Sequence, residues 1–173
     1  TETSTETSTE TLKVSAFGIH GLGEIFPGDD LGLALYEALQ AQGTTLRDGD
    51  VLVVSSKVVS KAEGQIRPAA CRAQAIDEDS VRIVAERRAG GGSVRIVVSR
   101  SGPTLAAAGV DASNVTPGTV LALPKDPDGS ARSLRTKMMQ LTGLRLGLVI
   151  SDTAGRPWRE GQVDFALGAA GIR

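Results

Sequence analysis

Four short aliphatic runs limit what this chain can fold into. Residues 51–54, 94–98, 119–123 and 146–150 each have strand length, and amphipathic stretches of helical period lie among them. Strands alternating with helices imply a mixed α/β architecture. The runs at 51–54 and 165–172 read as buried strands, and 146–150 reads as a strand passing directly into a polar loop. Leu31, Ala34, Leu35, Ala38 and Leu39 follow helical spacing, with Asp29 or Asp30 as the N-terminal cap and Gly43 as the stop. A second helix is expected over 77–88, with Val81, Val84 and Ala85 on one face and the glycines at 90–92 ending it. A third is expected over 130–141, preceded by Pro127 and Asp128 and closed by Gly143.

Aromatic residues make up only 3% of the 173 residues, so the core must be assembled from Val, Leu, Ile and Ala. Residues 1–11 repeat Thr, Glu and Ser without one apolar side chain and read as a disordered tail, which leaves 12–173 as one domain. The small apolar stretch at 165–172 leads into nothing, which reads as a domain truncated at its C-terminus.

The formal charge of -1 owes its sign to the three tail glutamates, without which the remainder carries about +2. A body so near neutral argues against a dedicated nucleic-acid binder. No apolar run is long enough to span a membrane, and no secretory signal is visible. A single cysteine, Cys71, excludes an internal disulfide framework and suits a reducing cytoplasm. With one His and one Cys, a zinc site is not expected.

Four stretches carry functional chemistry. The richest is 151–164, SDTAGRPWREGQVD, placed after a strand, where α/β folds gather their ligands. Asp152 and Thr153 offer hard oxygens suited to Mg²⁺ or Mn²⁺, and Arg156 and Arg159 offer planar forks for carboxylate or phosphate. The same stretch also reads as a surface turn in which Asp152 caps a helix and Trp158 packs as a lid. Residues 106–114, AAAGVDASN, present Asp111 and Asn114 on a small-residue backbone, equally readable as an Asx-turn. Residues 55–64, SSKVVSKAEG, place hydroxyls and two lysines at a strand end, where they suit phosphate or simply a solvated face. Residues 18–25 open like a dinucleotide fingerprint, but Phe26 stands where its third glycine belongs, and a P-loop is absent. His20 reads as a structural or surface residue.

In this order and spacing, the stretches SKVVSKAEG, AAAGVDASN and SDTAGRPWREGQVD resemble the coenzyme F420:L-glutamate ligase family across nearly all of 12–173. The resemblance implies a gamma-glutamyl ligase-like fold as an intertwined homodimer in the cytoplasm. It implies GTP-driven addition of L-glutamate to the lactyl-phosphate side chain of coenzyme F420-0 through an acyl phosphate, with Mg²⁺ or Mn²⁺ and K⁺. Residue by residue, it implies metal ligation by Asp111, Asp152 and Thr153. It implies GTP contacts from Leu22, Gly23, Glu24 and Ile25, from Ser56 and Lys61, and from Asn114. Asp152, Arg156 and Arg159 become the catalytic candidates, with Gln162 in the same signature. Gly23 stands where the family has Pro, and 99–103 departs from the family's Glu-Asn-Arg-x-Gly. Family ligase domains also continue beyond the position of Arg173. Two other classes fit the residues: a GTP- and metal-binding module without catalysis, and a metal-dependent phosphohydrolase built on Asp152.

Overall fold

A computed structural model describes residues 14–89, 92–156 and 159–172; the Thr/Glu/Ser segment at 1–11 lies outside the described residues. Helix α1 spans Leu31–Gln42. The Asp30 carboxylate accepts the Leu33 N–H at 3.0 Å, satisfying one of the free donors of the first turn. Helix α4 spans Pro127–Thr142 and starts earlier than the sequence pattern suggests. Proline has no N–H to lose in a first turn, and Asp126 caps this one by accepting from Gly129 N at 2.9 Å. Both helices end on a glycine in the left-handed region, Gly43 at φ 69° and Gly143 at φ 73°, as expected from their sequences.

Strand β1, Val51–Ser55, lies parallel to β7, Gly147–Arg156, which pairs antiparallel with β8, Arg159–Ala170. Helices α1 and α4 cover one face of this sheet. Leu52, Val54, Leu148 and Ile150 meet Leu35, Leu39 and Met138 there in an aliphatic core. The fit against α4 is close. A Cβ on Gly168 of β8 would stand 2.4 Å from the Pro127 carbonyl carbon, so only glycine lets the helix start rest on the strand. Asp128 secures the contact by accepting the Ala169 N–H at 2.9 Å.

A second aliphatic cluster, including Ile76, Val97, Val110 and Val120, sits among the smaller elements. These are β2 (Ile66–Pro68) paired with β6 (Thr119–Leu121), and a three-stranded antiparallel sheet of β3 (Ser80–Ala89), β4 (Gly92–Ser99) and β5 (Thr104–Ala106). Helix α3, Arg72–Glu78, packs beside them. The mixed α/β class is as expected.

Several local expectations are corrected. The helix expected over 77–88 is absent: α3 ends at Glu78, and 80–89 is strand β3 paired with β4. The β-branched residues Val81, Ile83 and Val84 suit a strand. Register shifts between Ser80 and Arg82 and between Ile83 and Ala85 break the alternation that would have revealed it. Residues 151–156 are not a loop; they prolong β7 and form a ribbon with β8. Strand β1 is buried on one face only, since Val51 and Val53 are exposed. Strand β8 likewise alternates instead of being buried throughout 165–170. The strand expected over 119–123 is shorter, and Gly90 and Gly91 lie outside the described residues. No helix among the described residues is long and apolar enough to cross a membrane.

Candidate active site

Because β1 and β7 run parallel, their carboxyl ends reach the same edge of the sheet, with Ser55 beside Ser151. The two chains then diverge. β1 turns into α2, Ser56–Ala62, while β7 continues as the ribbon with β8. Divergence at a sheet edge leaves a crevice. A cleft of about 850 Å³ opens here, and the 109–114 segment forms a third wall, pinned to β6 by the Asp111–Leu121 bridge.

Residues far apart in the chain meet in this cleft. Ser56, Asp111, Asn114, Asp152, Thr153 and Gln162 all line it. Ser56 is buried, and its hydroxyl donates to Asp152 Oδ1 at 2.9 Å, tying the start of α2 to β7. Thr153 donates to Asp164 Oδ1 at 2.6 Å across the ribbon. Asn114 adopts φ 57°, the left-handed conformation that Asn tolerates better than most residues, so the segment can turn at the cleft wall.

The remaining nucleotide candidates form a neighbouring group outside the cleft lining. Lys61, on the last turn of α2, forms an ion pair with Glu24. Ile25 is buried in the main core with Leu22 packed against it, and Gly23 is exposed between them. The 22–25 segment is thus fixed beside α2 by one ion pair and two apolar anchors. His20 is held by its backbone, which donates to Gln42 Oε1 at 3.0 Å. The side chains of Arg156 and Arg159 lie outside the described residues; their backbones pair at the far end of the ribbon. Pro157 and Trp158 also lie outside the described residues.

Two cleft residues were not singled out individually by sequence. Lys57 forms an ion pair with Asp111 and donates to Ser113, while Ser113 also donates to Asp111. Ser60 is buried, lines the cleft one turn after Ser56, and has no hydrogen-bond partner for its hydroxyl among the described residues. A buried hydroxyl without a partner is costly, which makes its position at the cleft notable. The spacing of Ser56 and Ser60, four apart on one helix face, is the signal that could have found it.

Burial pushes the Asp111 carboxyl up, but the bonds from Lys57 and Ser113 outweigh this and bring it from 3.8 down to about 2. The sign follows from the depressed value. Asp111 favours the folded state above pH 3.8, and that contribution is lost as pH falls towards about 2. Replacing Lys57 by Met is expected to raise the Asp111 titration midpoint from about 2 toward the ordinary carboxylate range. Carboxyl ¹³C shifts followed against pH measure this, and an unmoved midpoint would show that Lys57 does not hold the charge.

Among the described residues, no group of three or more His, Cys, Asp or Glu side chains is placed to hold a metal ion. Two carboxylates, Asp111 and Asp152, and the Thr153 hydroxyl nevertheless line one cleft. These are hard oxygens. They fit a small divalent cation of the Mg²⁺ or Mn²⁺ type, which binds through one or two carboxylates and completes its shell with water and substrate phosphate. Such an ion would compete with the Lys57 ammonium for Asp111.

A sequence model of the family described as F420-0:Gamma-glutamyl ligase matches residues 21–173. Curated relatives named coenzyme F420:L-glutamate ligase are similar over most of the chain. The protein from Archaeoglobus fulgidus is 38% identical, over 94% of this chain and 69% of its own length. That from Methanothermobacter thermautotrophicus is 37% identical, over 93% and 70% respectively. That from Methanopyrus kandleri is 41% identical, over 86% of this chain and 63% of its own length.

Proposed function

The chain belongs to the F420-0:gamma-glutamyl ligase family, and from that premise we propose that it joins L-glutamate to coenzyme F420-0 at the expense of GTP. The observation that carries this reading is the convergence of Ser56, Asp111, Asn114, Asp152 and Thr153 on one cleft at the strand ends. Those residues come from the three stretches that resemble the family most closely.

The chemistry explains why such a cleft is needed. A carboxylate is a poor electrophile, so the coenzyme's lactyl carboxylate must first be activated. Its oxygen attacks the γ-phosphorus of GTP, the bond to the β-phosphate oxygen breaks, and GDP leaves with that electron pair. The product is an acyl phosphate. The glutamate amine then attacks the acyl carbon, the carbon–oxygen bond to phosphate breaks, and the nitrogen gives up a proton as the amide forms. Both steps concentrate negative charge, so catalysis rests on positioning and charge neutralisation.

Lys61 would donate to phosphate oxygens, with Ser56, its hydroxyl proton engaged by Asp152, lying against the nucleotide, and 22–25 and Asn114 holding the rest. Arg156 and Arg159, at the end of the ribbon, would meet phosphate or coenzyme. Asp111, Asp152 and Thr153 would hold Mg²⁺ or Mn²⁺, which when bound supplies charge neutralisation for the phosphates, with K⁺ as an accessory ion. We also place the protein in the cytoplasm as a homodimer. The exposed apolar side chains of Val81, Ile83, Val84 and Val94 on the β3–β4 hairpin support self-association.

The test is GDP release followed together with product mass, using GTP, Mn²⁺, L-glutamate and coenzyme F420-0. Release is expected only when all components are present, with the coenzyme gaining a glutamyl unit. Equal release without coenzyme and glutamate would indicate a phosphohydrolase. Nucleotide binding with no release would indicate a binding module.

A further inference from the structure

A second, smaller cavity of about 320 Å³ lies on the other side of Ala122, which among the described residues is the one that lines both it and the main cleft. Its polar walls come from Arg67, Glu78, Asp79, Arg100, Ser101 and Lys125. Three cations and two carboxylates thus face one small space.

Opposite charges in such a space ordinarily pair with one another. Here they do not. The Arg67 guanidinium donates to the backbone carbonyls of Gly64 at 3.1 Å and Ile66 at 3.0 Å, and to Gln65 Oε1 at 3.3 Å. Arg100 donates from its side chain to the Glu78 carbonyl, and its backbone N–H donates to the Asp79 carbonyl at 2.8 Å. Both guanidinium groups are therefore fixed by neutral acceptors and keep their charge. Asp79 is half-buried, and Arg67, Lys125 and Arg100 act on its carboxylate only through space. Burial accordingly holds its carboxyl above the ordinary range despite those three cations. Glu78 Oε1 accepts from Gln74 at 2.7 Å, so one acid is partly engaged. Among the described residues the Asp79 carboxylate and the Lys125 ammonium have no hydrogen-bond partner, and that part of the site's capacity is open.

We propose that this cavity binds a free amino dicarboxylic acid, its ammonium on Asp79 and Glu78 and its two carboxylates on Arg67, Arg100 and Lys125. The charge pattern selects the class. One ammonium and two carboxylates complement two acids and three bases, and the excess positive charge of the cavity matches the net negative charge of the ligand. A phosphodiester or an inorganic phosphate would leave both acids facing an anion. The proposal rests on the ligase reading for its choice of L-glutamate among such acids. The shared Ala122 wall places the bound amino acid beside the main cleft, which it enters only after leaving Asp79 and Glu78.

The experiment is a calorimetric titration of the 173-residue chain with L-glutamate, glutarate and L-norvaline as probes. L-glutamate is expected to bind. Glutarate lacks the ammonium and norvaline lacks the distal carboxylate, so each should bind about tenfold more weakly or less. Asp79→Asn and Lys125→Met should each weaken L-glutamate by about tenfold or more while GTP binding stays unchanged. Lys125 is exposed, so its variant retains the fold and carries the test if Asp79→Asn does not. No binding of L-glutamate to the wild-type chain overturns the proposal, as does wild-type affinity in Lys125→Met or in a folded Asp79→Asn. Tighter binding of inorganic phosphate than of L-glutamate also overturns it. Glutamate binding lost in the variants, in a protein that never releases GDP, would sustain this site and sink the ligase reading instead.

Discussion

Replacing Asp152 by Asn is expected to lower coenzyme- and glutamate-dependent GDP release by about 10²–10³-fold while the melting temperature stays near that of the wild type. The two halves of that expectation have separate causes. Asn keeps the shape of Asp and retains an oxygen to accept the 2.9 Å bond from Ser56, so the junction of α2 with β7 survives. What disappears is a negative charge facing the cleft, together with half of the carboxylate pair suited to a divalent ion. Steady-state GDP release and a thermal melt on the same preparation separate the two. Full activity in the variant would remove Asp152 from the chemistry. A melting temperature lowered by many degrees would make it a structural residue.

Replacing Ile150 by Ala is expected to destabilise the protein by about 2–5 kcal/mol, a large share of the roughly 5–15 kcal/mol that holds a domain together. Ile150 is 0% exposed and lies in the core between the sheet and the helices α1 and α4. Truncation there removes apolar contact and leaves a cavity that neighbours fill only in part. Val53, one residue from β1's buried Val54, is 65% exposed, and Val53→Ala should cost less than about 0.5 kcal/mol. Urea unfolding of both variants measures the contrast. Similar midpoints for the two would mean that the sheet is not one-sided as described.

The legible parts of the fold were those with punctuation. Asp30 and Gly43 bound α1 by chemistry that acts within one turn, and Gly143 closes α4 in the same way. Residues 80–89 misled because Val81, Val84 and Ala85 satisfy a helical period as well as a strand does. The two register shifts with β4 then erase the alternation that would have decided. The 151–156 stretch is polar, and its composition points to a loop. Its strand conformation comes from pairing with β8, a tertiary partner that local composition does not announce.

The site divides along the same line. Asp152 and Thr153 stood out by their place after a strand. Asp111 and Asp152 line one cleft because of the Asp111–Leu121 bridge and the parallel pairing of β1 with β7, which no local pattern encodes. The Lys57–Asp111 ion pair was invisible because an isolated lysine near a strand end is most simply solvated. The cavity around Asp79 joins residues 67, 79, 100 and 125 through contacts no local pattern encodes.

Strand β1 ends at Ser55, opposite Ser151, whereas β7 runs on to Arg156 with β8 as its pairing partner. The described signature residues, 152–156 and 159–164, therefore sit on a two-stranded cantilever rooted in the three-stranded sheet. A ribbon of two strands is only marginally stable on its own, so its amide protons from 152 onward should exchange faster than those of 147–151. Opening of the cantilever then contributes little to global unfolding and much to the entropy lost when a ligand is clamped. Substitutions on its exposed face should therefore leave the stability of the rest of the protein almost unchanged.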